Sequence, residues 1–379
     1  MPLNSGQCTF GTDDIKETPW SLQRLLTRQM WAYGEGQGVK VAVIDTGVDS
    51  GNEQLRGAIT GGKSYVEKGK PTEDQVGHGT KVAGIIAARP KAGSGFYGLA
   101  PKAQIIPFQQ TDQEKGGTAA SLAKAIDDAV AANADIINIS QGTNANPALL
   151  SGLRAAVTRA EAKGVLIVAS AGNGGASGAE QSMYPAAFEN SNVLAVGASD
   201  RNNERAPFSQ AGSFVDIAAP GVDMVSTVPN GGNCVDQGTS FAAPYAAGVA
   251  ALLIGRNNAE HQKWQPREII WHLEKTAERV RKNRDHNIGW GVVDPVAALN
   301  DKTKPTGEPK PDTDSGRADH GADIQAAALT IGESTEERQA RIAIYIIGGG
   351  ALAVATVVGT SIALRDWRRK NTLNTRGGH

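Results

Sequence analysis

Residues 39–49 read VKVAVIDTGVD, and this stretch decides the architecture. The apolar run Val39–Ile44 is what a parallel strand covered on both faces requires. Asp45 follows it directly, at the strand's carboxyl end, where open α/β sheets gather their catalytic groups. Thr46 and Gly47 then turn the chain.

Outward from this strand the chain alternates. Helices are expected at Gly79–Ala88, Ala119–Ala132, near Ala148–Ala162, Phe241–Leu253 and Pro266–Thr276. Strands are expected at Ile105–Phe108, Ile136–Ser140, Val165–Ser170, Val193–Ala198 and Val215–Ala218. The alternation implies an α/β fold, a mostly parallel sheet with helices on both faces. Upstream, Leu22, Leu25, Leu26 and Met30 have the spacing of one short amphipathic helix over Trp20–Trp31. Residues 1–17 are polar and form an extension without a core of its own.

Two further Gly-rich junctions hold groups that complement Asp45. His78 stands in GHGTKVAG (77–84) and Ser240 in GTSFAAP (238–244), at the entry of the small-residue helix. A serine hydroxyl becomes a nucleophile when an imidazole takes its proton and a carboxylate orients that imidazole. The order Asp, His, Ser is that of one protease class and differs from two others that use the same groups. His261, His272, His286, His320 and His379 lack such a setting.

With these three segments the chain resembles the subtilisin-like serine protease family, from about Val39 to Leu299. The resemblance implies a subtilisin-like three-layer domain and a serine endopeptidase; no cofactor and no metal site are expected from the residues. It implies a catalytic Asp45, His78 and Ser240, and an oxyanion hole made by Asn173 of SAGNGG (170–175) with the Ser240 backbone N–H. An extended polypeptide substrate would lie between Gly116–Gly117–Thr118 and Ser140–Gln141–Gly142, the latter bounding the first specificity pocket together with Ala171 and Gly172. Gln141 is polar where many secreted relatives are apolar, which implies narrower specificity. No calcium loop is evident, and Asp49 and Asp74 read as isolated, solvated carboxylates. The flanks, TPWSLQRLL (18–26), an upstream cysteine and a membrane span at the end, resemble the mycosins, membrane-anchored subtilases of actinobacterial type VII secretion. That likeness implies a retained N-terminal arm over the cleft and a secretion complex as partner.

Composition agrees with a globular domain plus attachments. The 379 residues are 40% hydrophobic and 20% charged, and the net charge of −1 gives no reason to expect nucleic acid. Cys8 and Cys234 are the two cysteines, so one disulfide is the maximum. They read either as two free thiols or, on an extracytoplasmic reading, as a Cys8–Cys234 bridge that ties the arm to the loop before Ser240.

The catalytic domain is expected over residues 18–300 and a Pro-containing linker over 301–341. Ile342 to Leu364 is uncharged and, at about 1.5 Å per residue, long enough to cross about 30 Å of hydrocarbon. Gly348–Gly350, Ala351, Ala353 and Ala355 offer a weak helix-packing face. Arg365, Arg368, Arg369, Lys370 and Arg376 follow, against Arg338 and Arg341 before the span. The positive-inside rule therefore places the tail, 365–379, in the cytoplasm and the protease outside. Residues 1–30 hold no apolar signal region, so an export signal is expected upstream. Two other readings stand beside the endopeptidase in secretion. One is a structural subunit stabilising a membrane secretion complex; the other is a surface protease trimming envelope proteins.

Overall fold

The run at Val39–Ile44 forms strand β1 (Lys40–Asp45), buried at every residue after Lys40. The computed structural model describes residues 8–25, 27–112, 116–178, 180–188, 192–279, 283–311 and 335–374. They fall into two units, Met1–Thr313 and Asp314–His379.

The single helix expected across Trp20–Trp31 is two, α1 (Trp20–Gln23) and α2 (Thr27–Trp31). Leu22, Leu25 and Met30 all bury in one core. Tertiary packing, not the local 3.6-residue rhythm, sets their path, since pieces this short have little helical stability alone. Downstream come β2 (Lys63–Ser64), α3 (His78–Ala87), β3 (Gln104–Gln109), α4 (Ala119–Ala131) and β4 (Ile136–Ile139). A 3₁₀ turn at Pro147–Leu150 precedes α5 (Ser151–Ala162), then β5 (Leu166–Ser170), β6 (Val193–Ser199) and β7 (Ile217–Pro220). A hairpin of β8 (Met224–Thr227) and β9 (Asn233–Asp236) leads into α6 (Thr239–Ala259), α7 (Pro266–Thr276) and α8 (Pro295–Asn300).

Among the described residues the main sheet has seven strands in the order β2-β3-β1-β4-β5-β6-β7, and every pairing is parallel. Its two faces carry separate cores. Val41, Val43, Ile105, Ile136 and Val168 face α3 and α6. Ala42, Ile44, Ile106, Phe108, Ile137 and Ile139 face α4 and α5. This is the three-layer arrangement expected. β1 lies between β3 and β4, so the chain ends that follow these three strands meet at one edge. Helix α6 is buried along most of its length, which fits its small, uniformly apolar sequence.

The arm before α1 has no core of its own and docks on the domain. Gly11 N donates to the Pro229 carbonyl, Thr12 Oγ1 to the Asn233 carbonyl and Ile15 N to Asn233 Oδ1. Ile15 packs on the α3–α6 core. A Cys8–Cys234 disulfide, with Cα atoms 5.8 Å apart, ties this arm to β9. Residues 1–7 of the expected extension lie outside the described residues. At the other end, residues 301–311 of the expected linker lie along the domain: Lys302 pairs with Glu260 at 2.6 Å and Lys304 with Glu268 at 3.0 Å. Residues 312–334 of that linker, and Arg376 in the tail, lie outside the described residues.

The second unit contains α9 (Thr335–Asn374), longer at both ends than the uncharged run within it. Residues Ile342–Asp366 have a mean hydropathy of 2.1, and no other described helix is long and apolar enough to cross a membrane. Ile344, Tyr345, Ile347, Val357 and Ile362 are exposed. This helix fits a single-pass anchor.

Closing a long loop restricts the unfolded chain, so Cys8→Ser with Cys234→Ser is expected to lower stability by about 2–4 kcal/mol in urea unfolding of the detergent-solubilised protein.

Candidate active site

The site grows from the carboxyl end of β1. Asp45 pairs in register with Gln109 of β3, and Ile44 with Ile139 of β4. The Asp45 carboxylate is fully buried and accepts the Thr46 backbone N–H at 2.8 Å through Oδ1. The same oxygen lies 2.7 Å from His78 Nδ1, and the ring is 5% exposed. A carboxylate only accepts, so Nδ1 carries the proton, and in the neutral ring Nε2 is then the basic nitrogen.

Gly77 and Gly79 flank the ring and let it sit so close. Gly77 has φ +82°, a left-handed conformation that side chains disfavour. A Cβ on Gly79 would collide with the Gly47 carbonyl and stand 3.1 Å from Asp45 Cβ. Helix α3 therefore starts against the strand end.

Asp74 holds this junction, and here the structure corrects the sequence reading. It is not solvated: the residue is 6% exposed. Its Oδ1 accepts Gly77 N at 2.7 Å, Val76 N at 3.2 Å and Thr46 Oγ1 at 2.9 Å. Its Oδ2 accepts Thr80 N at 2.8 Å and Thr80 Oγ1 at 2.7 Å. Thr46 Oγ1 in turn accepts Gly79 N at 2.9 Å. One carboxylate thus links the residue after Asp45 to both neighbours of His78. Burial pushes the Asp74 carboxyl up, and its hydrogen bonds oppose the shift. Asp49 is half-buried rather than isolated, and accepts Gly51 N and Asn230 N, each at 2.8 Å.

Ser240 lies in the first turn of α6, beside Phe241, whose ring centroid is 5.5 Å from that of His78. The Ser240 hydroxyl donates to the Ser140 carbonyl at 3.0 Å. Acid and ring are thus joined directly, while the hydroxyl in this geometry is engaged by the neighbouring segment. Asn173 anchors the same turn: its Oδ1 accepts Thr239 N at 2.9 Å and Thr239 Oγ1 at 2.8 Å. A backbone N–H can only donate, so the amide oxygen must face it and the NH₂ points away. A Cβ on Gly238 would stand 3.3 Å from Asn173 Nδ2 and 3.6 Å from Ser240 N, so the two donors flank one spot.

The segments expected to line a substrate also converge here. Thr118 caps α4 in a capping box with Ser121, and Gln110 Nε2 donates to the Thr118 carbonyl and to Ser121 Oγ. Gln110 N donates to the Asp45 carbonyl at 2.8 Å, so one residue braces Gly116–Thr118 against the end of β1. Ser140–Gly142 follow β4 directly, and Ala171 and Gly172 follow β5. Sequence reading missed Met183. A Cβ on Gly142 would meet its Cγ at 2.8 Å, and one on Gly172 its Cε at 3.0 Å. Its side chain thus packs between the two glycines expected to border the first pocket.

Residues 36–291 match the model of the subtilase family. The chain belongs to the subtilase family. It is, by family, a serine endopeptidase. It is 38% identical over 258 residues to thermitase of Thermoactinomyces vulgaris, covering 68% of this chain and 88% of thermitase. It is 39% identical over 261 residues to the thermophilic serine proteinase of Bacillus sp. strain AK1. That match spans 68% of this chain and 61% of that relative's length. Among solved structures, MycP3 protease from the type VII (ESX-3) secretion system is similar with a TM-score of 0.66 at 31% identity, over 76% of this chain and 91% of that one. The mycosin likeness read from the flanks thus has a counterpart in the fold of this subtilase.

Charged hydrogen bonds contribute about 1.5–3 kcal/mol each. Asp74→Ala leaves the buried Gly77 and Thr80 N–H groups unpaired, and is expected to cost about 3 kcal/mol or more in urea unfolding.

Proposed function

We propose that this subtilase is a membrane-anchored endopeptidase that cleaves polypeptides through Asp45, His78 and Ser240 and serves type VII protein secretion. The observation that carries the proposal is the buried 2.7 Å contact between Asp45 Oδ1 and His78 Nδ1, beside the turn that holds Ser240.

A substrate chain adds as an extended strand beside Ser140–Gly142 and offers a backbone N–H to the Ser140 carbonyl. That N–H replaces the Ser240 hydroxyl there, which turns toward His78 Nε2. The Ser240 oxygen attacks the scissile carbonyl as Nε2 takes its proton, and Asp45 stabilises the imidazolium that results. The carbonyl oxygen becomes an oxyanion, which accepts from Asn173 Nδ2 and Ser240 N near the start of α6, where the helix dipole favours negative charge. The C–N bond then breaks, His78 returns the proton to the leaving amine, and an ester on Ser240 remains. A water deprotonated by His78 hydrolyses that ester through the same two donors and restores the serine. Met183 narrows the first pocket and disfavours bulky side chains just before the scissile bond.

The membrane part of the proposal rests on α9. Its exposed apolar side chains need a hydrocarbon environment, and the basic residues after Leu364 favour a cytoplasmic tail with the protease domain outside. The secretion link is supported by the likeness to MycP3, whose system is type VII.

Ser240→Ala is expected to lower kcat about 10⁶-fold and Asn173→Ala about 10²–10³-fold on a peptide amide, with the fold intact by circular dichroism. Equal activity in Ser240→Ala would remove the hydrolytic reading. A strain carrying Ser240→Ala that still secretes, while deletion of the whole chain does not, would favour a structural role in the secretion complex. Protease added to intact cells is expected to degrade the catalytic domain; full protection would reverse the orientation.

A further inference from the structure

The tethered arm carries an aromatic ring to the edge of the catalytic junction. A Cβ on Gly77 would stand 2.6 Å from Phe10 Cε1 and Cζ, and 3.2 Å from Pro229 Cδ. Gly77 directly precedes His78. The ring therefore lies over the backbone beside the catalytic imidazole, yet it remains 37% exposed. Its position is held on both sides. Cys8 is bonded to Cys234 two residues before it, and Gly11 N donates to the Pro229 carbonyl at 3.1 Å just after it.

The topology tells which half of the cleft the ring borders. Gly116–Thr118 leads into α4, and Ser140–Gly142 precedes α5. Those helices pack on one face of the sheet. The N-terminus of α3, the β8–β9 hairpin and the arm residue Ile15 belong to the opposite face, with α6. A substrate strand running from the first pair of segments past Ser240 and His78 must leave over the second face. The portion held at Gly116–Thr118 and Ser140–Gly142 becomes the acyl half. The portion that reaches the α3 side is the leaving half.

We infer that Phe10 is a specificity-determining residue, a wall of the leaving-group half of the cleft that selects polypeptides with an apolar side chain within the first two positions after the scissile bond. This rests on the hydrolase reading above. The partly exposed ring offers apolar surface beside the reacting bond, and a substrate side chain laid on it removes both from water. Differences of one or a few methylenes against such a wall are worth about 10- to 200-fold in selectivity.

The test uses the full chain in detergent and two sets of internally quenched peptides. One set varies the first two leaving-side residues among Leu, Phe, Ala and Asp, with the acyl half constant. The other varies the acyl side with the leaving half constant. The expected wild-type preference for Leu over Ala on the leaving side is about tenfold in kcat/KM. In Phe10→Ala it is expected to fall to about twofold, with Phe10→Leu between, while the acyl-side ratios stay put. An unchanged leaving-side ratio in Phe10→Ala overturns the inference. A parallel loss of both sets of ratios also overturns it, because the arm would then act on the fold as a whole. Labelling of Ser240 by a fluorophosphonate separates the two readings. Wild-type protein that neither labels nor cleaves any peptide overturns the hydrolase reading and this one together, whereas labelled, active protein with flat leaving-side ratios overturns this one alone.

Discussion

The hydrogen bond between Asp45 and His78 is the constraint that the rest of the domain serves. It sits where water does not reach, so it can form only if strand and helix arrive in register. A buried carboxylate is costly unless its neighbours satisfy it. Asp45 accepts from Thr46 N and His78 Nδ1 through one oxygen, and a second carboxylate holds the junction around that pair. Asp74 receives the N–H groups around His78 and the Thr46 hydroxyl, and Thr46 receives Gly79 N. Side-chain position thus depends on a polar network one layer away from the reacting atoms, a common device for holding a catalytic ring in one orientation.

Sheet order does the remaining work. With β1 between β3 and β4, the segments after all three strands share an edge, and Gln110 ties two of them by a single residue. From the other face α6 brings Ser240, and Asn173 fixes its first turn through Thr239. Pro244 lies inside that helix and has no N–H for the Ser240 carbonyl, so the first turn lacks that rung of its ladder. The positions of donors and nucleophile are set less by the helix itself than by what grips its start.

Much of this was legible in the residues. Apolar runs bounded by glycine marked β1, β3, β4 and β5 to within a residue or two, because a strand buried on both faces leaves little ambiguity. The motifs around Asp45, His78 and Ser240 marked groups whose surroundings prove to be shared. What the sequence hid depended on contacts across the chain. Asp74 looked like any surface acid: Val76, Gly77 and Thr80 are near it in the chain, but the Thr46 hydroxyl that ties it to the end of β1 comes from far upstream. Met183 gave no signal, because its neighbours Gly142 and Gly172 are remote in the chain. The break between α1 and α2 followed core packing that no helical periodicity encodes. The hairpin β8–β9 is too short and too polar to stand out.

The covalent tie between the arm and β9 changes what a cut in the backbone means. A break anywhere between Cys8 and Cys234 leaves two fragments still bound through sulfur. Clipping of the arm, by this enzyme or another, would therefore not shed it. Such a nicked molecule would migrate as one species until a reductant parted it, and its mass would rise by that of one water rather than fall.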